Sequence, residues 1–187
     1  MAVTLPRLPG TYALVLRLPR DARIQVGRLG SLSLPAAWYL YVGSAFGPGG
    51  LAARLGRHIS GGGRPHWHVD RLRVLAVPVE AWFSMDRERR EDDWARVCTR
   101  LPGGMPVPGF GASDSRASSH LWYFHVLPSF QGFVQRLHRT CPGHAPLRRL
   151  PLGGGDSPRR SGYDGAPRKG RQKVSSRRTR GGKGASS

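Results

Sequence analysis

Apolar and polar positions change period several times along this chain, and each change marks an element. In Gly10–Leu18, Tyr12, Leu14, Leu16 and Leu18 share one face while Ala13 and Val15 fall on the other. That pattern predicts a strand that is apolar on both sides. Pro19, Arg20 and Asp21 make a turn, and residues 23–29 alternate as a second strand ending near Gly30. Pairing of these two strands as a hairpin is the economical expectation. A further strand spans 37–43, where Trp38, Tyr39, Tyr41 and Val42 are aromatic or β-branched residues suited to a pleated surface. Gly47, Pro48, Gly49 and Gly50 break it. Leu51, Leu55 and Ile59 then recur every four residues, which predicts a helix over 51–60.

After a glycine run and His66-Trp67-His68-Val69-Asp70, residues 71–83 read as a strand, with Pro78 marking an edge position or a bulge. From Asp86 to Leu101 the period becomes helical, with Trp94, Val97, Cys98 and Leu101 on one face, until Pro102-Gly103-Gly104 stops it. A polar, glycine-rich loop over 107–119 leads to a strand over 120–126 and a short helix over 130–138.

Charge alters the picture of what the chain meets. Thirty Lys and Arg oppose eleven Asp and Glu, a net charge of +19 and a pI near 11.6. A polyanionic partner follows, nucleic acid ahead of an anionic membrane; DNA ahead of RNA is what the family resemblance given below implies. Twelve of the thirty basic residues lie in 148–187, where eighteen of forty residues are Gly, Pro or Ser. Such a composition buries too little apolar area to offset the entropy of ordering, so a disordered tail is expected over 148–187, following a domain at 8–140. Arg168, Lys169, Arg171, Lys173, Arg177 and Arg178 of that tail, with Arg57 on the first helix, are the candidate nucleic-acid contacts; a solubilising extension is the alternative. Two cysteines, Cys98 and Cys141, are too few for a disulfide framework or a four-cysteine zinc site. No apolar run approaches the ~18 residues of a membrane span. Pro6 and Pro9 interrupt the N-terminus before a signal-peptide core can form. A reducing, cytoplasmic setting, nucleoid-associated if the partner is DNA, is the expectation.

Arg54 and His58 lie four apart at one edge of the 51–60 stripe. Their spacing suits either a phosphate contact or the solvated basic edge of an amphipathic helix. On the later helix, at ~100° per residue, Glu91 falls roughly 60° from Trp94 and close to Cys98, on the apolar side. A carboxylate there needs a cation to meet it, a metal ion or Arg87 or Arg90. Gly10-Thr11-Tyr12 and Tyr41-Val42-Gly43, followed by Arg54 and His58, resemble the GIY-YIG nuclease superfamily. The likeness is to its stand-alone, domain-of-unknown-function branch, over about residues 8–127. Its signatures occur here in order: Tyr41-Val42-Gly43-Ser44-Ala45, the Arg54/His58 pair with His66–Asp70, an acidic residue opening a helix, and the run from Gly109 to Phe124.

The resemblance implies an α+β fold, a small, mainly antiparallel, three-stranded sheet flanked by helices. It also implies hydrolysis of phosphodiester bonds with one divalent metal, Mg²⁺ or Mn²⁺. Carried over by position, Tyr12 becomes the candidate general base or water-orienting hydroxyl, facing Tyr41. Arg54 would hold a phosphate oxygen, His58 would assist proton transfer, and Glu91 would be the metal ligand. A free tyrosine titrates near ~10, so a base role for Tyr12 needs a cation nearby. The expected activity is a structure-selective or repair-type DNA endonuclease; the alternative is a non-catalytic nucleic-acid-binding module on the same scaffold. Relatives carry cysteines where this chain has Asp92, Ser115 and Ala117, which favours the alternative. His66 and His68, two apart on an expected strand, could pair with His120 around zinc or simply be hydrogen-bonded.

Overall fold

The computed structural model describes residues 4–61, 67–112 and 117–153. It is a mixed α+β structure whose largest element is a mainly antiparallel sheet. β1 (Thr11–Leu18) and β4 (Ala37–Ser44) pair antiparallel over their full lengths, and β5 (Val77–Ser84) takes the other edge of β1. With β6 (Met105–Pro106), β7 (Leu121–Phe124) and β8 (Leu147–Pro151), the six-stranded order is β6-β7-β4-β1-β5-β8. The sheet is therefore twice as wide as the resemblance implies.

Period-two alternation sends the side chains of β1, β4 and β5 into two separate cores. Tyr12, Leu14, Leu16, Tyr39, Tyr41, Ala81 and Phe83 face one side. There they meet Leu51 and Leu55 of α1 (Gly50–Ser60) and Val69 and Leu72 of α2 (His68–Arg73). Ala13, Val15, Leu40, Val42 and Trp82 face the other side, against Trp94, Val97 and Cys98 of α3 (Glu91–Thr99) and Phe133 and Leu137 of α4 (Phe130–Thr140). Both faces of β1 are covered, which is why its sequence is apolar at every position from 12 to 16.

Four expectations are corrected. The strand after the first turn, β2 (Ala22–Val26), does not pair with β1, because β4 and β5 occupy both edges of β1. It instead forms a separate hairpin with β3 (Gly30–Leu34) across a 3₁₀ turn at Gly27–Leu29. Residues 71–73, read as part of a strand, belong to α2. The helix expected from Asp86 begins only at Glu91, since Asp86 accepts the N–H groups of Glu88 and Ala145 and the Arg90 guanidinium, holding 86–90 in a non-helical turn. Finally, the tail does not start at 148. Leu147–Pro151 pair with β5, placing Arg149 opposite Trp82 and Leu150 opposite Ala81. The rest of the expected disordered segment, with Arg168, Lys169, Arg171, Lys173, Arg177 and Arg178, lies outside the described residues. The irregularity expected at Pro78 is present as a bulge, Leu16 facing Pro78 and Val15 facing Glu80, but β8 removes the edge. Among the described residues no helix is long and apolar enough to cross a membrane.

Gly43 sits directly opposite Tyr12, and the tyrosine ring lies across it. A Cβ on residue 43 would come 2.6 Å from both the ring Cζ and the hydroxyl. The Tyr12 ring is fully buried and has little room to retreat. Gly43→Ala should therefore destabilise the chain by about 1–3 kcal/mol, the usual cost of overpacking; an unchanged urea midpoint would show that the ring moves freely. On the far edge, the buried Glu80 carboxylate accepts from Trp82 Nε1 at 2.8 Å and from Arg149 Nε at 2.7 Å. Arg149→Ala leaves that carboxylate half-satisfied and should cost about 1–3 kcal/mol. Equal thermal stability of this variant and the parent would mean β8 is dispensable.

Candidate active site

The site is built where β1, β4, α1 and α3 meet. Because Tyr12 pairs with Gly43, Tyr41 lies diagonally across from it on the same face, and the two rings sit 6.5 Å apart. The His58 ring is 6.0 Å from each of them. His58 is not at the edge of the α1 stripe, as its spacing with Arg54 suggested, but fully buried. Helical packing against α2 explains this. Arg73 of α2 donates to the carbonyls of His58 (2.5 Å) and Ile59 (2.8 Å), satisfying the end of α1 and drawing its last turn inward.

The N-terminus of α1 is closed as well. Leu51 N–H donates to Leu8 O and Ala52 N–H to Pro6 O, both at 2.9 Å. Gly50 takes φ +55°, and a side chain there would run into the Leu8 carbonyl. The glycine turn is therefore an anchor for the chain's N-terminal segment.

His58 Nδ1 is 2.9 Å from Asp70 Oδ1. The other carboxylate oxygen accepts from the Trp67 backbone N–H at 2.9 Å, within the first turn of α2. Burial lowers the His58 pKa; Asp70 works against this, but Arg54 and Arg57 add to it, and the net direction is down. A neutral imidazole whose Nδ1–H is given to a carboxylate presents a lone pair at Nε2. Arg54, half-buried, lies with its guanidinium 3.8 Å from the centre of the Trp67 ring, a close stacking contact. Arg57 reaches Asp70 only at 3.9 Å.

Glu91 is the first residue of α3, where a carboxylate also suits the helix dipole. Its oxygens accept from Ser44 Oγ at 2.7 Å and face His120 Nδ1 at 2.9 Å. Burial would raise its pKa, but the bonds to His120 and Ser44, with the charges of His120 and Arg54, bring it below the usual value. It is thus ionised, and its partners are Ser44 and His120 rather than Arg87 or Arg90; Arg90 bridges Asp86, Glu88 and Asp93 instead.

Both tyrosines are pushed the other way. Burial raises Tyr12 well above its ordinary value, Tyr41 and Glu91 add to this, and Arg54 opposes it without prevailing. Tyr41 is likewise raised, by burial and Glu91. Tyr12 in this setting is a neutral hydroxyl, able to orient and donate; the protein's own charges do not make it a phenolate base. Four buried polar atoms here have no hydrogen-bond partner among the described residues: Tyr12 Oη, Arg54 Nε, His58 Nε2 and His120 Nε2. Buried polar groups are ordinarily satisfied, so such a concentration points to a missing ligand.

All five residues singled out as catalytic thus converge. Among the described residues the histidines form no zinc set. His68 opens α2 rather than a strand and accepts from Gly111 N–H at 3.1 Å; His120 is engaged with Glu91; His66 lies outside the described residues. Asp92 is exposed, Ala117 packs against the second core, and Ser115 is not among the described residues. Ser44, Asp70 and Trp67 escaped the sequence reading as site residues. Ser44 lies within Tyr41–Ala45, and Trp67 and Asp70 within His66–Asp70, two of the signatures that carried the resemblance, which was the available signal.

No curated protein and no solved structure matches this chain. The family model described as "Domain of unknown function DUF123" matches residues 11–142, from the start of β1 past the end of α4 and including every clustered residue. The chain belongs to that family.

Proposed function

We propose that this chain is a divalent-metal-dependent endonuclease that hydrolyses phosphodiester bonds in DNA, structure-selective or repair-associated, and a GIY-YIG nuclease relative. The observation that carries the reading is the convergence of Tyr12, Tyr41, Arg54, His58 and Glu91 around partnerless polar atoms on Tyr12, Arg54 and His58. The middle strands β4-β1-β5, an antiparallel trio carrying both triplets, support the superfamily likeness.

Each group has a chemically suitable task. Arg54, held flat by Trp67, would bind a non-bridging phosphate oxygen and offset charge gathering there. Neutral Tyr12 and Tyr41 would donate to the phosphate or orient the attacking water. His58 Nε2 would accept the proton that water gives up. Glu91 is the residue that would hold Mg²⁺ or Mn²⁺. Among the described residues there is no cluster of three or more His, Cys, Asp or Glu, so a protein-built cage is not the fit. A single ionised carboxylate does fit Mg²⁺, which commonly keeps several waters and takes its remaining ligands from substrate phosphates. Such an ion supplies charge neutralisation at the phosphate and a more acidic water.

Purified full-length chain incubated with flaps, junctions, duplexes and single strands, with Mn²⁺ or with EDTA, tests this. Metal-dependent cleavage of at least one substrate is expected; tight binding without cleavage would assign the chain to the non-catalytic class. Glu91→Gln should abolish cleavage while leaving DNA binding within a few-fold. Turnover surviving in that variant, or in EDTA, would remove the metal role. Arg54→Ala should cost about 2.7–4 kcal/mol of transition-state stabilisation, as for one preorganised donor. A change confined to affinity, with the single-turnover rate intact, would make Arg54 a binding residue only.

Ten basic residues lie in 154–187. A chain ending at Gly153, which retains β8, should bind DNA more weakly with unchanged substrate preference. If about half of those residues contact phosphates, the slope of log K against log salt should flatten by roughly 4–5. An unchanged slope would remove the tail from the interface.

A further inference from the structure

We infer that Asp70 is a positioning residue of this site: it holds His58 as the Nδ1–H tautomer and so presents the Nε2 lone pair to Tyr12 and Tyr41. This rests on reading the cluster as a phosphodiester-hydrolysing site, where Asp70 touches no substrate and acts only through His58.

The geometry is specific. Asp70 Oδ1 meets His58 Nδ1 at 2.9 Å, while Oδ2 accepts from the Trp67 N–H at 2.9 Å and has the Arg57 guanidinium 3.9 Å away. A carboxylate can only accept, so the proton on the shared contact resides on Nδ1. His58 is fully buried, and its Nε2 has no partner among the described residues although both tyrosine rings stand 6.0 Å away. The groups facing His58 are Arg54 and Arg57 on its own helix, Asp70 on α2, Tyr12 on β1 and Tyr41 on β4, while Arg73 holds its carbonyl. Asp70 is the acidic member of that set. The segment 67–73 therefore sets up both functional side chains of α1: Trp67 backs Arg54, Asp70 orients His58, and Arg73 fixes the helix end between them.

In the hydrolytic step, Nε2 takes a proton from the attacking water as its oxygen bonds to phosphorus. The ester P–O bond breaks, and the leaving oxygen takes a proton from solvent. An imidazole of the opposite tautomer carries a proton at Nε2 and has no lone pair there to accept one.

Asp70→Asn separates this role from a merely structural one. Asparagine retains one acceptor oxygen, and the Trp67 N–H needs it; the amide NH₂ then faces His58 Nδ1 and forces the proton onto Nε2. Long-range ¹H–¹⁵N NMR of the full-length chain at pH 8 reads the tautomer directly. We expect Nδ1–H in the parent and Nε2–H in Asp70→Asn, with single-turnover cleavage falling about 10²-fold or more and substrate affinity within a few-fold. Losing the carboxylate also removes the charge that favours protonated His58, so whatever rate remains should lose its acid limb at lower pH than the parent. An Nε2–H tautomer in the parent overturns the inference, as does parent-like cleavage with a parent-like pH profile in the variant. A parent with the Nδ1–H tautomer that cleaves no substrate supports the positioning of His58 and overturns the hydrolase reading alone. Should Asp70→Asn fail to fold, the parent tautomer decides.

Discussion

Everything at the site depends on one close approach, the Tyr12 ring lying across Gly43 of the neighbouring strand. The antiparallel register of β1 and β4 puts these residues opposite each other, and only a missing side chain lets a ring occupy that space. From this contact the rest follows by period. Tyr41, two residues before Gly43, falls on the same face, and Ser44, one residue after it, ends the strand within 2.7 Å of Glu91. A register slip of one residue would turn the tyrosines into the α3–α4 core and break the link to Glu91 together.

Two imidazole–carboxylate pairs then share one design at different ends of the cluster. His58 with Asp70 and His120 with Glu91 each use Nδ1 toward the carboxylate and leave Nε2 buried and partnerless among the described residues. Burial disfavours charge on every one of these groups. For Glu91 the hydrogen bonds of His120 and Ser44 win and it remains an anion, whereas for His58 burial wins over Asp70 and it remains neutral. For the tyrosines burial prevails over the neighbouring Arg54, and both stay protonated. At neutral pH the site thus offers a cation at Arg54, an anion at Glu91, two hydroxyl donors and the lone pair of His58.

How far this was legible depended on which elements decide their own conformation. β1, β4, α1 and α4 carry their periods within a single stretch, and reading Tyr12, Tyr41, Leu51 and Leu55 locally places them correctly. The partner of β2 was not legible, because a strand's neighbours depend on which edges other strands fill. α2 is one and a half turns long, too short to register as a helical period, so His68 was read in a strand. β8 was hidden by composition: Arg148 and Arg149 look like tail, yet the buried Glu80 on the neighbouring strand β5 needs one of them. The burial of His58 was missed for a related reason, since spacing gives its position on α1 but not that α2 packs over that position.

The charge arrangement bears on how such a site would meet a polyanion. Arg54 is offset by Glu91 and Arg57 by Asp70, while His58 and the two tyrosines are neutral. The cluster itself therefore offers little long-range attraction, and a phosphate diester would be drawn in by the arginines distributed over the rest of the chain. Those exposed charges are screened by salt within about 10 Å at 0.1 M, whereas interactions inside a buried cluster are screened much less. On the proposed reading, affinity and turnover draw on different residues: ionic strength should govern how much substrate is bound, and the neutral donors, the oriented imidazole and Arg54 should govern how fast it reacts. On that reading the chain would hold DNA without regard to sequence and still confine chemistry to one backbone position. What would select that position is the narrow requirement that a phosphate reach the buried atoms of Tyr12, Arg54 and His58 at once.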